Sequence, residues 1–158
     1  MRAVGRALGD AVSAASGAAF VVTLQGELGA GKTTLVGGVL AALGIPGPAR
    51  SPTYTLIEPY ETRQLRLFHL DLYRLADPQE VEALGIRDLL EPDAMLLIEW
   101  PERGAGALPP ADLAIAIRYA TVGADGRELA MTAGSPAGER ALQGLLRAVK
   151  WQLSHLSL

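Results

Sequence analysis

At 158 residues and a net charge of -3, the chain has the size of one domain with a substantial core, and no room for a second catalytic module. Its acidic balance argues against gripping nucleic acid by bulk electrostatics, and with two lysines among 14 basic residues any local basic patch would be built from arginine. Cysteine is absent, which excludes disulfides and thiolate metal sites, and the two histidines, His69 and His155, are too far apart to suggest zinc.

Residues 2–15 read as a small-residue amphipathic helix, with Val4, Leu8, Val12 and Ala15 at helical spacing and Ser16-Gly17 as its end. Gly5, Gly9 and Asp10 interrupt the apolar run that a signal peptide needs, and no run is long enough to span a bilayer. A soluble, cytoplasmic chain is expected. A buried strand follows at 20–25, then G-E-L-G-A-G-K-T-T at 26–34, then a helix over 32–43 stopped by G-I-P-G-P at 44–48. Residues 54–60 and 65–71 are rich in β-branched and aromatic side chains and read as an antiparallel hairpin turning at 61–64.

Asp77 and Pro78 open a helix as N-cap and first residue, with Glu80 as the capping-box acid, and Gly85 interrupts before a short helical piece at 86–90. The unbroken apolar run 94–98 is a central parallel strand, closed by Glu99, Trp100 and Pro101. A Gly/Pro loop at 104–110 leads to strands at 113–119 and 128–132 about an Asp125-Gly126 turn, and a terminal helix over about 137–156 carries Leu142, Leu145, Leu146, Val149 and Leu153 at helical spacing. Because the stretch at 26–34 fits G-x-x-x-x-G-K-S/T between a strand and a helix, the expected fold is α/β: one P-loop NTPase-like domain over 1–158, its mixed, mostly parallel sheet flanked by helices and carrying antiparallel hairpins. The terminal helix either packs on that sheet, the simpler expectation, or serves a partner.

The stretch at 26–34 fits the phosphate-loop pattern G-x-x-x-x-G-K-S/T, and it stands between a strand and a helix as that motif requires. A chance match in a chain of this length has a probability on the order of a few in a thousand. Gly29, Ala30 and Gly31 supply a backbone wrap that only glycine-rich chain can bring close to a triphosphate. Lys32 places a point charge between the β- and γ-phosphates, Thr33 offers its hydroxyl to Mg²⁺, Thr34 adds a phosphate hydrogen bond, and the helix N-terminus faces the anion. ATP and Mg²⁺ are therefore the expected ligands.

Hydrolysis also needs a carboxylate on the metal shell and a group that orients water. Asp71 and Glu99 each end a strand where open α/β sheets bind ligands, and Thr53 is placed to offer a hydroxyl as switch segments do. Spacing leaves open which carboxylate activates water. His69 reads as a hydrogen-bonded packing residue, and Trp100 as core, as a shield of the site from water, or as a stacking surface for a partner.

With these residues in place, the chain resembles the TsaE (YjeE) family of bacterial P-loop ATPases. The similarity runs over residues 3–134 and rests on G-E-L-G-A-G-K-T-T at 26–34, S-P-T-Y-T-L-I at 51–57, H-L-D-L-Y-R-L at 69–75, D-P-Q-E at 77–80 and I-E-W-P-E-R at 98–103. The resemblance implies a role in making N6-threonylcarbamoyladenosine at position 37 of tRNAs, beside a TsaD–TsaB complex that itself meets the tRNA. It implies an ATPase weak alone and stimulated by that pair. It gives Lys32 and Thr33 the phosphate and Mg²⁺ roles, Asp71 that of a metal-associated aspartate, Glu99 that of a required glutamate, Trp100 that of the adjoining tryptophan, and 51–53 that of a switch-like loop. Family members usually carry a short strand before the first helix, whereas this chain begins almost at that helix, and its last helix is longer than the pattern requires. Two other readings remain beside it: an ATP-loaded clip without required turnover, and a small-molecule P-loop kinase.

Overall fold

The apolar run at 94–98 forms the middle of a six-stranded sheet. The computed structural model describes residues 1–13, 17–63, 65–77, 79–120 and 126–155, the last five by their backbone. Strand β4 (Ala94–Glu99) is buried at every position, because it lies parallel between β1 (Phe20–Gln25) and β3 (Arg66–Asp71) and is covered on both faces. With β2 (Ile57–Glu61), β5 (Leu113–Tyr119) and β6 (Arg127–Ala133), the strand order is β2-β3-β4-β1-β5-β6. β5 runs parallel to β1, while β2 and β6 pair antiparallel at the two edges. The architecture is the expected α/β fold with a mixed, mostly parallel sheet.

Helices α1 (Arg2–Ser13), α2 (Lys32–Ala42) and α4 (Pro136–His155) serve one face of this sheet, meeting Val22, Leu24, Leu67 and Leu97. The other face, with Val21, Leu70, Leu96 and Ile98, is covered among the described residues by α3 (Gln79–Ala83), the loops around it and short 3-10 turns at 86–89 and 101–104. Helix α2 is apolar almost all round because it is packed between α1 and the sheet. At its crossing with α1, a side chain at Gly5 would collide with the Leu35 carbonyl, and one at Gly38 with the Arg2 carbonyl. The backbones touch there. Gly5→Ala and Gly38→Ala are each expected to destabilise the fold by about 1–3 kcal/mol through overpacking. Urea melts check this, and unchanged midpoints would mean that the helices can separate freely.

Several boundaries differ from the sequence-based expectation. The hairpin strand begins at Ile57 rather than Tyr54, because residues 53–55 turn, Leu56 takes a left-handed backbone (φ 63) and its N–H donates to the Pro52 carbonyl at 2.6 Å. The Gly/Pro loop after β4 is preceded by a 3-10 turn, Pro101–Gly104, entered through a left-handed Trp100. Helix α4 starts at Pro136, where Ser135 Oγ accepts the Gly138 N–H at 3.1 Å as a cap. The capping box of α3 forms as read: Glu80 Oε1 accepts the Asp77 N–H at 3.0 Å, and Asp77 Oδ1 accepts that of Gln79 at 2.9 Å. Ala15, Ser16, Gln64, Pro78, Asp125 and Leu156, and the side chain of Leu153, lie outside the described residues.

Candidate functional site

Strand β1 ends at Gln25, and the chain loops through 26–31 into α2. Gly29 (φ 76) and Gly31 (φ 107) hold left-handed backbone that other residues adopt only at a cost. Gly26 leaves no room for a side chain, since a Cβ there would meet the Ile117 carbonyl. Two distant residues brace the loop from the sheet: Tyr119 Oη donates to the Leu28 carbonyl at 3.1 Å and Arg127 Nε to that of Ala30 at 3.2 Å.

Lys32 opens α2 and is only 4% exposed. Its Nζ donates to the carbonyls of Gly26 (2.7 Å) and Glu27 (2.9 Å) and sits 3.8 Å from the centre of the Trp100 ring. Burial lowers its pKa, while the negative charges of Glu99, Asp71 and Glu102 pull in the opposite direction. The left-handed turn at Trp100 (φ 59), whose N–H donates to the Leu24 carbonyl, brings the indole over the amine.

Thr33 Oγ1 donates to Glu99 Oε1 at 2.9 Å. Glu99 ends β4 directly beside the phosphate-loop strand, and parallel pairing sets Asp71 of β3 opposite it. Both carboxylates are buried. Asp71 has a different set of partners: Oδ2 accepts from the Ser51 hydroxyl and from Thr53 Oγ1 (3.1 Å), and Oδ1 from the Tyr73 N–H (3.0 Å). The segment after α2 is thereby tied to the end of β3.

A cavity of about 370 Å³ opens between these groups, lined by Gly29, Gly31–Thr34, Ser51, Thr53, Asp71, Tyr73, Glu99 and Trp100, with Leu28 at its edge. Every site residue named from the sequence lines it except Ala30. The Ala30 methyl belongs to the core, and its N–H donates to the Glu27 carbonyl. Sequence reasoning missed Tyr73, whose ring lies 4.9 Å from that of Trp100, and the bracing by Tyr119 and Arg127, for which spacing carries no signal. It also missed the contact of His69 Nε2 with Glu99 Oε1 at 2.9 Å, although strand alternation places His69 on the face of Asp71.

Among the described residues, no three His, Asp or Glu side chains form a ready-made metal cage. The oxygen donors of Thr33, Glu99 and Asp71 fit Mg²⁺, which takes one or two carboxylates and completes its shell with phosphate oxygens and water.

The family model described as "Threonylcarbamoyl adenosine biosynthesis protein TsaE" matches residues 1–129. The chain belongs to the TsaE family. One relative, the tRNA threonylcarbamoyladenosine biosynthesis protein TsaE of Haemophilus influenzae, is 52% identical over 101 residues, which are 64% of this chain and 64% of that protein. The match therefore spans somewhat under two thirds of that relative's length. The Bacillus subtilis protein of the same name is 42% identical over 113 residues, 72% of this chain and 69% of its own. The crystal structure of Bacillus subtilis YdiB superposes with a TM-score of 0.68 at 31% identity, covering 93% of this chain and 90% of that one. The likeness to YdiB therefore extends over most of the fold as well as the motifs. Among the described residues, no helix is long and apolar enough to cross a membrane.

Proposed function

We propose that this TsaE-family chain is a Mg²⁺-dependent ATPase, acting as one domain over 1–158 with a TsaD–TsaB complex in the cytoplasm to make N6-threonylcarbamoyladenosine in tRNA. The single observation that carries the reading is the Thr33–Glu99 hydrogen bond, which joins the phosphate loop to a buried strand-end carboxylate beside Asp71.

The backbone N–H groups of the loop and the N-terminus of α2 would hold the phosphates. Lys32 would turn its ammonium from the Gly26 and Glu27 carbonyls to the β- and γ-phosphate oxygens, staying under the Trp100 ring. Thr33, Glu99 and Asp71 would hold Mg²⁺ among them. When bound, the metal supplies positive charge where negative charge builds up on the transferred phosphoryl group. Glu99 lines the cavity and would accept the hydrogen bond that aligns a water with the γ-phosphate, while Asp71 would keep Ser51 and Thr53 facing the same space.

Partner control is supported by the rim of the site. Tyr54 is 84% exposed with the Arg74 guanidinium 4.3 Å from its ring centre, and Leu28 is 75% exposed. Tyr54 directly follows Thr53, so a protein seated on it would act on the hydroxyls that Asp71 holds. The tRNA would be met through the partner complex.

The test is Mg²⁺-dependent ATP hydrolysis by the chain alone and with TsaD–TsaB. Slow turnover alone, raised about tenfold or more by the pair, is expected. Equal rates with and without the pair would sink the gating claim, and phosphate transfer to a metabolite instead of water would favour a kinase.

A further inference from the structure

The chemistry above gives no task to His69. It lies fully buried in the middle of β3, where the nearby Leu67 and Leu70 are aliphatic and buried. Its Nε2 is 2.9 Å from Glu99 Oε1, and because a carboxylate only accepts, Nε2 carries the hydrogen and donates it. The other ring nitrogen, Nδ1, is buried with no hydrogen-bond partner among the described residues. Native interiors rarely leave such an atom, and an aliphatic side chain of similar volume would fill the strand position without one. Packing alone does not account for an imidazole here. Its one polar bond does.

Both donors that reach Glu99 converge on Oε1: Thr33 from the phosphate loop and His69 from the neighbouring strand. That leaves Oε2 for the cavity that Glu99 lines. Thr33 is itself placed to ligate Mg²⁺, so its bond to Glu99 changes when nucleotide and metal arrive, whereas the His69 ring is fully buried behind the residues that line the cavity and, among the described residues, hydrogen-bonds to Glu99 alone. We propose that His69 is a positioning residue: its Nε2–H holds the Glu99 carboxylate in the orientation that receives Mg²⁺ and the attacking water. This rests on the ATPase reading above.

Three variants of the full chain separate the bond from the packing. Gln carries an N–H at about the reach of imidazole Nε2, Asn at about the reach of Nδ1, and Leu carries none. For each, ADP affinity is measured in Mg²⁺ and in EDTA, turnover is measured with TsaD–TsaB, and a thermal melt checks folding. In EDTA all should bind ADP as the wild type does. The gain in affinity from Mg²⁺, and kcat, should fall about 10- to 100-fold in His69→Leu and His69→Asn and be largely restored in His69→Gln, the range typical of groups that orient a ligand to a metal.

If His69→Leu does not fold, the Gln and Asn pair decides. Folded Asn or Leu variants that keep both the Mg²⁺ gain and kcat would overturn the proposal, as would a folded Gln variant no better than Asn. A wild type that hydrolyses ATP while the His69 variants match it overturns this proposal alone. A wild type that binds no nucleotide overturns the ATPase reading and this proposal with it.

Discussion

Lys32→Ala is expected to weaken ATP binding about 100-fold and to remove turnover almost completely. An ammonium about 4 Å from a phosphate charge is worth roughly 4 kcal/mol at an effective dielectric of about 20, and part of that is recovered by water in the alanine variant, leaving about 3 kcal/mol. The residue is buried, so the interaction is less screened than a surface ion pair. The fold should survive, because among the described residues Nζ meets the loop carbonyls of Gly26 and Glu27 and the face of Trp100 and ties no further element of the core. The sign of the pH effect follows from the same burial. With its pKa lowered from 10.5, free Lys32 gives up its proton at lower pH than an ordinary lysine, so wild-type ATP affinity should decline on the alkaline side before that value. The alanine variant should show no such decline. Calorimetric titration with a slowly hydrolysed ATP analogue across pH measures both effects, and unchanged affinity and turnover would contradict the role given to Lys32.

Much of this site could be read from local pattern. The phosphate loop needs only residue type and spacing, and the strand expected at 113–119 is β5, Leu113–Tyr119. Asp71 and Glu99 were each found as strand-end acids, but their register as direct neighbours comes from parallel pairing across 28 residues, which no local pattern contains. The segment 53–56 shows the opposite case. Its β-branched and aromatic residues favour a strand, yet Asp71 draws the Ser51 and Thr53 hydroxyls to itself and the chain turns instead, so tertiary hydrogen bonding overrides propensity. Gly5 was read as a mere interruption of apolar character, and its real constraint is the α2 backbone pressed against it. The Tyr119 and Arg127 braces join residues 91 and 97 positions apart, where only the fold brings them together.

Glu99→Gln should leave ATP affinity within a few-fold of wild type while kcat falls about 100- to 1,000-fold, the scale of losing a group that orients or takes a proton in the transition state. Glutamine keeps the volume and one acceptor oxygen, so Thr33 and His69 retain a partner. What disappears is the negative charge beside the metal position and the water. Because Glu99 is buried, removing that charge also removes a desolvation cost, and the melting temperature should hold or rise. Lys32 loses the largest of the charges that oppose the lowering of its pKa, so its alkaline transition should move further down in this variant. The substitution also separates hydrolysis from occupancy. In a reconstituted tRNA modification assay with TsaD–TsaB, an ATPase that must turn over should stall after about one cycle with Glu99→Gln, because the loaded state forms and is not cleared. Sustained modification by this variant would instead make the chain a clip, in which the Thr33–Glu99 contact senses bound nucleotide and the carboxylate does no chemistry.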